Sequence, residues 1–328
     1  IPSIPQVKLE HIFRQSEDST IVTLASQIRK GHLPPDFMEK KPDRSYFEAP
    51  SELVAPMIEK ITSAALRNGI PARDIQVLAP MYRGSAGIDQ INSLMQELLN
   101  PLETDALFFQ ALDCQYRNGD KVIHLVNDAE SNVFNGDIGY ITDLLPAKYT
   151  ESKQDELTIQ FDGNELVYPR NEWYKIRLAY AMSIHKSQGS EFPVVILPLT
   201  NQSRRMLQRN LIYTAITRSK SKLILLGEYT AFHFATQNTG TARKTYLIER
   251  FSDVLPQRTD SSSQSPVHLE ELDKKTEPQS ELVSVENHSD SSDSQPSQQG
   301  YRLTEDNYLS IDPMIGLTEE EIQHFFKN

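Results

Sequence analysis

Residues 180–199 read YAMSIHKSQGSEFPVVILPL, and the fold turns on how this stretch divides. Its first half is polar and passes through Gly189. Its second half carries the apolar run VVIL at 194–197, bounded by Pro193 and Pro198. A short apolar run between prolines predicts a brief buried strand rather than a long helix. Ahead of it, Ser183, His185, Lys186, Ser187, Gln188 and Ser190 gather hydroxyl, imidazole, ammonium and amide groups, with Glu191 behind them. Short polar side chains and backbone N–H groups near a glycine suit anionic oxygens. A polar loop before a core strand is also common, so the reading needs a companion.

The companion is LIYTAITRSKSKLILLG at 211–227, a helical segment followed by Arg218 and a strand at about 223–226. SIHKSQGSEF at 183–192 and YTAITRSKSKL at 213–223 together resemble the fifth and sixth motifs of superfamily 1 helicases, specifically the RecD-like DNA helicases. EHIFRQ at 10–15 and LAPMYRGSAGI at 78–88 resemble the same family, so the likeness covers roughly residues 1–250. It implies an α/β fold: a RecA-like parallel-sheet motor domain, the second of two. Within it the family carries an inserted small antiparallel β-barrel of the Src-homology type.

The residues themselves are consistent with that layout. A strand is expected at 7–13 and a helix at 19–30, with Ile21, Leu24, Ala25 and Ile28 at helical spacing, Ser19 as cap and Gly31 as stop. The Pro-rich, charged stretch 32–50 reads as a surface loop with a short strand at Tyr46-Phe47, and 51–68 as an amphipathic helix. A strand at 75–79, the loop Tyr82-Arg83-Gly84 and a helix from 87 to 99 form a βα unit, whose ligands meet the carboxyl ends of strands. From about residue 120 short alternating runs take over, separated by Asn135-Gly136 and Asp162-Gly163, which are tight-turn dipeptides. The expected domains are 1–118 and 177–255 for the two parts of the motor, 119–176 for the barrel, 256–300 for a disordered acidic linker and 301–328 for a tail. Trp173, the single tryptophan, is expected in the barrel–motor joint, and Phe134 is expected to be exposed.

The resemblance implies roles for individual residues. Arg14 would contact the terminal phosphate of ATP, with Gln15 beside it. Ser183 and His185 would face single-stranded DNA, while Lys186 and Gln188 couple that contact to the nucleotide cleft. Gly189 would allow close backbone approach and Glu191 would face the nucleotide. Arg218 would be an arginine finger; its bland alternative is a cation at a helix C-terminus beside Lys220 and Lys222. From the residues alone, Arg83 and the Gly84 backbone could hold phosphate, and Tyr82 could stack on a base or pack beside the sheet.

Composition sets the bounds. The chain holds 45 acidic and 33 basic residues, but residues 256–328 carry 15 acidic and 5 basic of them. The acidity is therefore a property of the tail and does not exclude a nucleic-acid partner for the body. One cysteine, Cys114, excludes an internal disulfide and fits a reducing cytoplasm. No apolar run approaches the ~18 residues of a membrane span. The opening IPSIPQVKLEHIF has neither an initiating Met nor a leader pattern and reads as the interior of a longer protein.

No GxxxxGK[ST] occurs, and no acidic pair for Mg2+ stands out. In the family both belong to the first motor domain. The expected function is thus the C-terminal half of an ATP-dependent 5′→3′ DNA helicase of repair or recombination, using ATP with Mg2+ and inactive as this piece alone. Its expected partners are single-stranded DNA, the N-terminal motor domain and a protein docking on the tail. There LTEEEIQHFF at 317–326 has capping-box spacing between Thr318 and Glu321 and predicts a short helix. The alternatives are a non-catalytic single-strand-binding module and a scaffold working through its tail. RNA is disfavoured only by the resemblance.

Overall fold

The computed structural model describes residues 19–111, 113–240 and the backbone of 301–302. In chain order it shows helix α1 (Thr20–Arg29), strand β1 (Arg44–Glu48), α2 (Ser51–Arg67), β2 (Ile75–Ala79) and α3 (Ile88–Leu99). Seven strands follow: β3 (Phe108–Gln110), β4 (Gln115–Arg117), β5 (Lys121–His124), β6 (Ile138–Leu145), β7 (Glu156–Gln160), β8 (Glu165–Pro169) and β9 (Ile176–Leu178). The chain closes with β10 (Ala181–Ser183), β11 (Phe192–Leu199), α4 (Arg209–Ile216), β12 (Ser219–Gly227), α5 (Tyr229–Gln237) and β13 (Tyr301–Arg302).

The strands form a parallel sheet in the order β10-β2-β11-β12-β1-β13, and an antiparallel sheet in the order β8-β7-β6-β5-β9. Strand β11 is central, and alternate residues feed opposite faces. Val194 and Ile196 join a core with α2 and α3, while Val195, Leu197 and Leu199 join one with α1, α4 and α5. Burial on both faces is why the run is continuously apolar. The antiparallel sheet grows out of the parallel one after α3 and returns through β9 and β10, so one apolar cluster runs from Ile75 and Ile91 into Ile159 and Trp173. Trp173 stacks on Phe109 at 5.6 Å and donates its indole N–H to the Tyr168 carbonyl at 2.9 Å.

Three local expectations change. Strand β11 runs through both prolines: Pro193 sits at a register shift, and Pro198 lies beyond Ile196, the last residue paired with β2. Ser19 occupies the cap position of α1, but its hydroxyl donates to Asp43, whose carboxylate accepts the Ile21 N–H at 3.2 Å. The cap is thus supplied from 22 residues downstream. Lys222, named above only as a helix-end cation beside Arg218, is instead buried within β12 and donates to the Pro42 carbonyl at 2.8 Å. The expected strand at 7–13, the linker 256–300 and the helix at 317–326 lie outside the described residues. Of the tail, Tyr301–Arg302 pairs with β1 opposite Phe47 and Glu48.

Candidate nucleic-acid and nucleotide interface

Because the large sheet is parallel, the loops after β2, β10 and β11 emerge at one edge, and β2 lies between the other two. The loop after β2 presents Tyr82, Arg83 and Gly84, all exposed. Gly84 has φ 103°, a left-handed angle that favours glycine. Gly87 closes this loop so tightly that a Cβ there would fall 2.5 Å from the Tyr82 carbonyl oxygen. The loop after β10 carries His185, Gln188 and Gly189 exposed, Lys186 half-buried and Ser183 buried. A Cβ on Gly189 would meet nothing of this chain, so its φ of 93°, rather than crowding by the protein, is what calls for glycine.

Tyr82, Ser183 and Lys186 line a single cleft of about 120 Å³ between the two sheets, shared with Asn92, Asp113 and Arg177. Asn92 fixes the wall: its amide donates to the Ala181 carbonyl at 2.9 Å and accepts the Ala181 N–H at 2.8 Å. Lys186 Nζ donates to Asn135 Oδ1 at 2.9 Å, which ties the loop to the tight turn between β5 and β6. Desolvation, and then the nearby Arg177 guanidinium, hold the Lys186 ammonium below its usual pKa. Arg177 in turn pairs with Asp113 at 3.4 Å. Cys114 also borders the cleft, and burial pushes its thiol up to about 11, which removes it as a nucleophile. Phe134, beside Asn135, is exposed.

Residues 184–191 then cross the sheet. Ser183 is level with Ala79 at the carboxyl end of β2, whereas Val194 is level with Ile75 at its amino end. At the far end the Phe192 N–H donates to the Arg218 carbonyl at 2.9 Å. The Arg218 side chain is buried, and its guanidinium donates to the carbonyls of Ser190 and Thr214, both at 3.1 Å, and to Thr217 Oγ1 at 3.2 Å. Glu191 pairs with Lys220 at 3.7 Å. The structure therefore places Arg218 and Glu191 at the opposite end of the loop from Ser183. Arg14 and Gln15 lie outside the described residues.

Among the described residues no three His, Cys, Asp or Glu side chains gather to hold a metal. The carboxylate nearest Arg218 in this loop, Glu191, already faces Lys220, so the residues present do not fit a Mg2+ site. For the nucleotide they offer one buried guanidinium at a loop end, and no backbone cradle for two phosphates.

Sequence comparison matches residues 178–226 to the UvrD-like helicase C-terminal domain and residues 91–161 to the ATP-dependent RecD-like DNA helicase SH3 domain. The chain is consistent with the C-terminal portion of a RecD-like helicase. Relatives include the ATP-dependent RecD2 DNA helicase of Deinococcus radiodurans, 31% identical over 252 residues, which are 75% of this chain and 32% of that protein. The RecBCD subunit RecD of Mycolicibacterium smegmatis is 26% identical over 68% of this chain and 39% of its own length. The chain thus spans about a third of the curated relatives it matches. Among solved structures, a Bacteroides Pif1 helicase in complex with ADP-AlF3 and ssDNA overlaps 75% of this chain and 56% of its own, at 18% identity and TM-score 0.44.

Within this RecD-like domain, Asn92, Asn135 and Arg177 were not singled out as site residues from sequence. The Asn-Gly dipeptide marks a turn but not what the turn touches, and Asn92 reads as one more polar position on an amphipathic helix. Their partners lie 89, 51 and 64 residues away in the chain.

Proposed function

We propose that this chain is the second motor domain, with its SH3-type insert, of an ATP-dependent 5′→3′ DNA helicase acting in repair or recombination. Single-stranded DNA runs along the carboxyl edge of the parallel sheet, against Tyr82, Arg83, Gly84, Ser183, His185, Lys186 and Gln188. The nucleotide, with Mg2+ held by the preceding motor domain, meets Arg218, Glu191 and Gly189, with Arg14 and Gln15 arriving from the chain start. The observation that carries this reading is the eight-residue loop 184–191, which links the polar cleft at one end to the buried guanidinium at the other.

Arg218 contributes a delocalised charge that stays protonated and can turn from backbone carbonyls to a phosphoryl oxygen. When bound, the nucleotide supplies the phosphoryl transfer whose developing charge such a group stabilises. In the intact protein, Arg218→Ala is expected to lower DNA-stimulated ATP hydrolysis by about 10³-fold while leaving single-strand binding in place. Undiminished hydrolysis would refute the motor reading and favour a single-strand-binding module without ATP coupling.

A further inference from the structure

Beside the loops already described, the turn after β11 forms a groove of its own. It is an open hollow of about 570 Å³ lined by Asn201, Gln202, Arg204, Arg205 and Phe234. The turn is a 3-10 segment, Asn201–Met206, held at several points. The Asn201 N–H donates to the Glu228 carboxylate, Asn201 Nδ2 to Thr230 Oγ1 at 2.8 Å and Ser203 Oγ to the Thr200 carbonyl at 2.8 Å. Gln202 anchors the near side, donating to Ser51 Oγ at 2.8 Å and accepting from Ser85 Oγ at 3.4 Å.

This rigid turn points two guanidiniums into solvent. The Arg204 guanidinium carbon sits over the Phe234 ring, 4.0 Å from its centroid, so the ring orients a charge that would otherwise wander. Arg205 is exposed, and neither arginine has a carboxylate partner among the described residues. The position also matters. Strand β11 neighbours β2, and Gln202 lies against Gly84 and Ser85, so the groove continues directly from the loop bearing Arg83.

We propose that Arg204 and Arg205 form a further phosphate-contacting station, extending the strand's path along the carboxyl edge from Arg83 across Gln202. The ligand class is the phosphodiester backbone of single-stranded nucleic acid. The contacts are charge to phosphate, without base readout. The inference rests on the function proposed above and adds residues that neither the motifs nor the resemblance single out. The chain's own acidic segment, 256–300, is the competing occupant.

The test is fluorescence anisotropy of a labelled oligothymidylate with the 328-residue chain across a salt series. The proteins are the wild type, R204Q/R205Q and the single variant R205Q, which leaves the Arg204–Phe234 stack intact. Each phosphate contact contributes about 0.7 to the slope of log affinity against log salt on single strands. The slope should therefore fall by about 1.4 in the double variant and about 0.7 in the single one. Wild-type binding with an unchanged slope in both variants overturns this proposal alone. Tighter binding by the double variant also overturns it, and assigns the arginines to the acidic segment. Absence of salt-dependent binding by the wild type overturns the underlying reading as well.

Discussion

Lys121 is the residue whose replacement should most clearly separate burial from function. It opens β5 at the junction of the two sheets, is 3% exposed and lies with its ammonium 5.6 Å from the Phe192 ring centroid. Its hydrogen bonds are long ones, to the carbonyls of Arg73 at 3.3 Å and Ile75 at 3.5 Å. Desolvation pulls its pKa from 10.5 to about 8, with only Asp74 opposing. At about pH 7 both folded and unfolded chains carry the proton, and the difference in pKa costs the fold about 3 kcal/mol. As pH rises from 8 to 10.5 the folded chain releases a proton that the unfolded chain keeps, so the penalty fades and this group's contribution improves. Lys121→Met removes the charge and also orphans two weakly bonded carbonyls, at about 0.5–1 kcal/mol each. The net expectation at about pH 7 is a gain of about 1–2 kcal/mol. Urea unfolding of variant and wild type, at about pH 7 and about pH 9.5, measures the difference. The advantage should shrink by about 2 kcal/mol between the two. An advantage independent of pH, or a loss at neutral pH, would show that the amine is not the strained, titrating group described.

Further expectations follow from single contacts. Gly227→Ala should prevent folding, because a Cβ would lie 2.1 Å from the Leu199 carbonyl oxygen at a φ of 120°; soluble expression and circular dichroism decide it. Trp173→Phe removes the indole donor to Tyr168 and should cost about 1–3 kcal/mol in chemical denaturation. His124 is fully buried against the Phe161 and Tyr168 rings, and burial lowers its pKa below 6.5. Its contribution is therefore present above about pH 6.5 and lost as pH falls, so His124→Phe should flatten the stability decline between about pH 6.5 and 5. Asn135→Ala frees Lys186 from the β5–β6 turn and should raise hydrogen exchange at 184–190 without changing the melting temperature by more than ~2 °C.

The helices α1, α2 and α3 were legible because their apolar residues recur at helical spacing, and β2 because an apolar run interrupted only by Gln76 ends at a proline. What stayed hidden depended on partners distant in sequence. Nothing near Ser19 announces that Asp43 will cap α1, and nothing near Lys222 announces that the Pro42 carbonyl will hold it. The hairpin β3–β4 and strand β9 are three residues each, too short for alternation to register. Pro193 and Pro198 misled for a physical reason: proline ends a strand only where its missing N–H would face a ladder, and one sits at a register shift while the other lies past the β2 pairing. The motifs could be picked out of the sequence, but not their arrangement, since spacing cannot show that Ser183 and Arg218 stand at opposite ends of one loop.

On the proposed function, that arrangement lets an insert between the two parts of the parallel sheet bear on both ligands. Loop 184–191 must cover the length of β2, about 13 Å at ~3.3 Å per residue, roughly half its extended reach, and it takes up the rest in turns bonded to themselves. The Lys186 N–H bonds the Ser183 carbonyl, Ser187 Oγ the Ile184 carbonyl, and the Ser190 N–H the Ser187 carbonyl. The SH3-type sheet ends in β9 and the motor sheet resumes in β10 after only Ala179 and Tyr180. Those two residues are clamped, because the Gln76 side chain donates to both of their carbonyls at 3.1 Å. The Tyr180 hydroxyl reaches back to Asp120, which Gln96 and Asn100 also hold. A displacement of the insert therefore reaches Ser183 through four residues and Lys186 through Asn135. On the proposed function, force on the insert from bound nucleic acid arrives at the start of the same loop whose far end holds Arg218. Coupling then requires no long pathway, only a short loop too tightly bonded to absorb the motion.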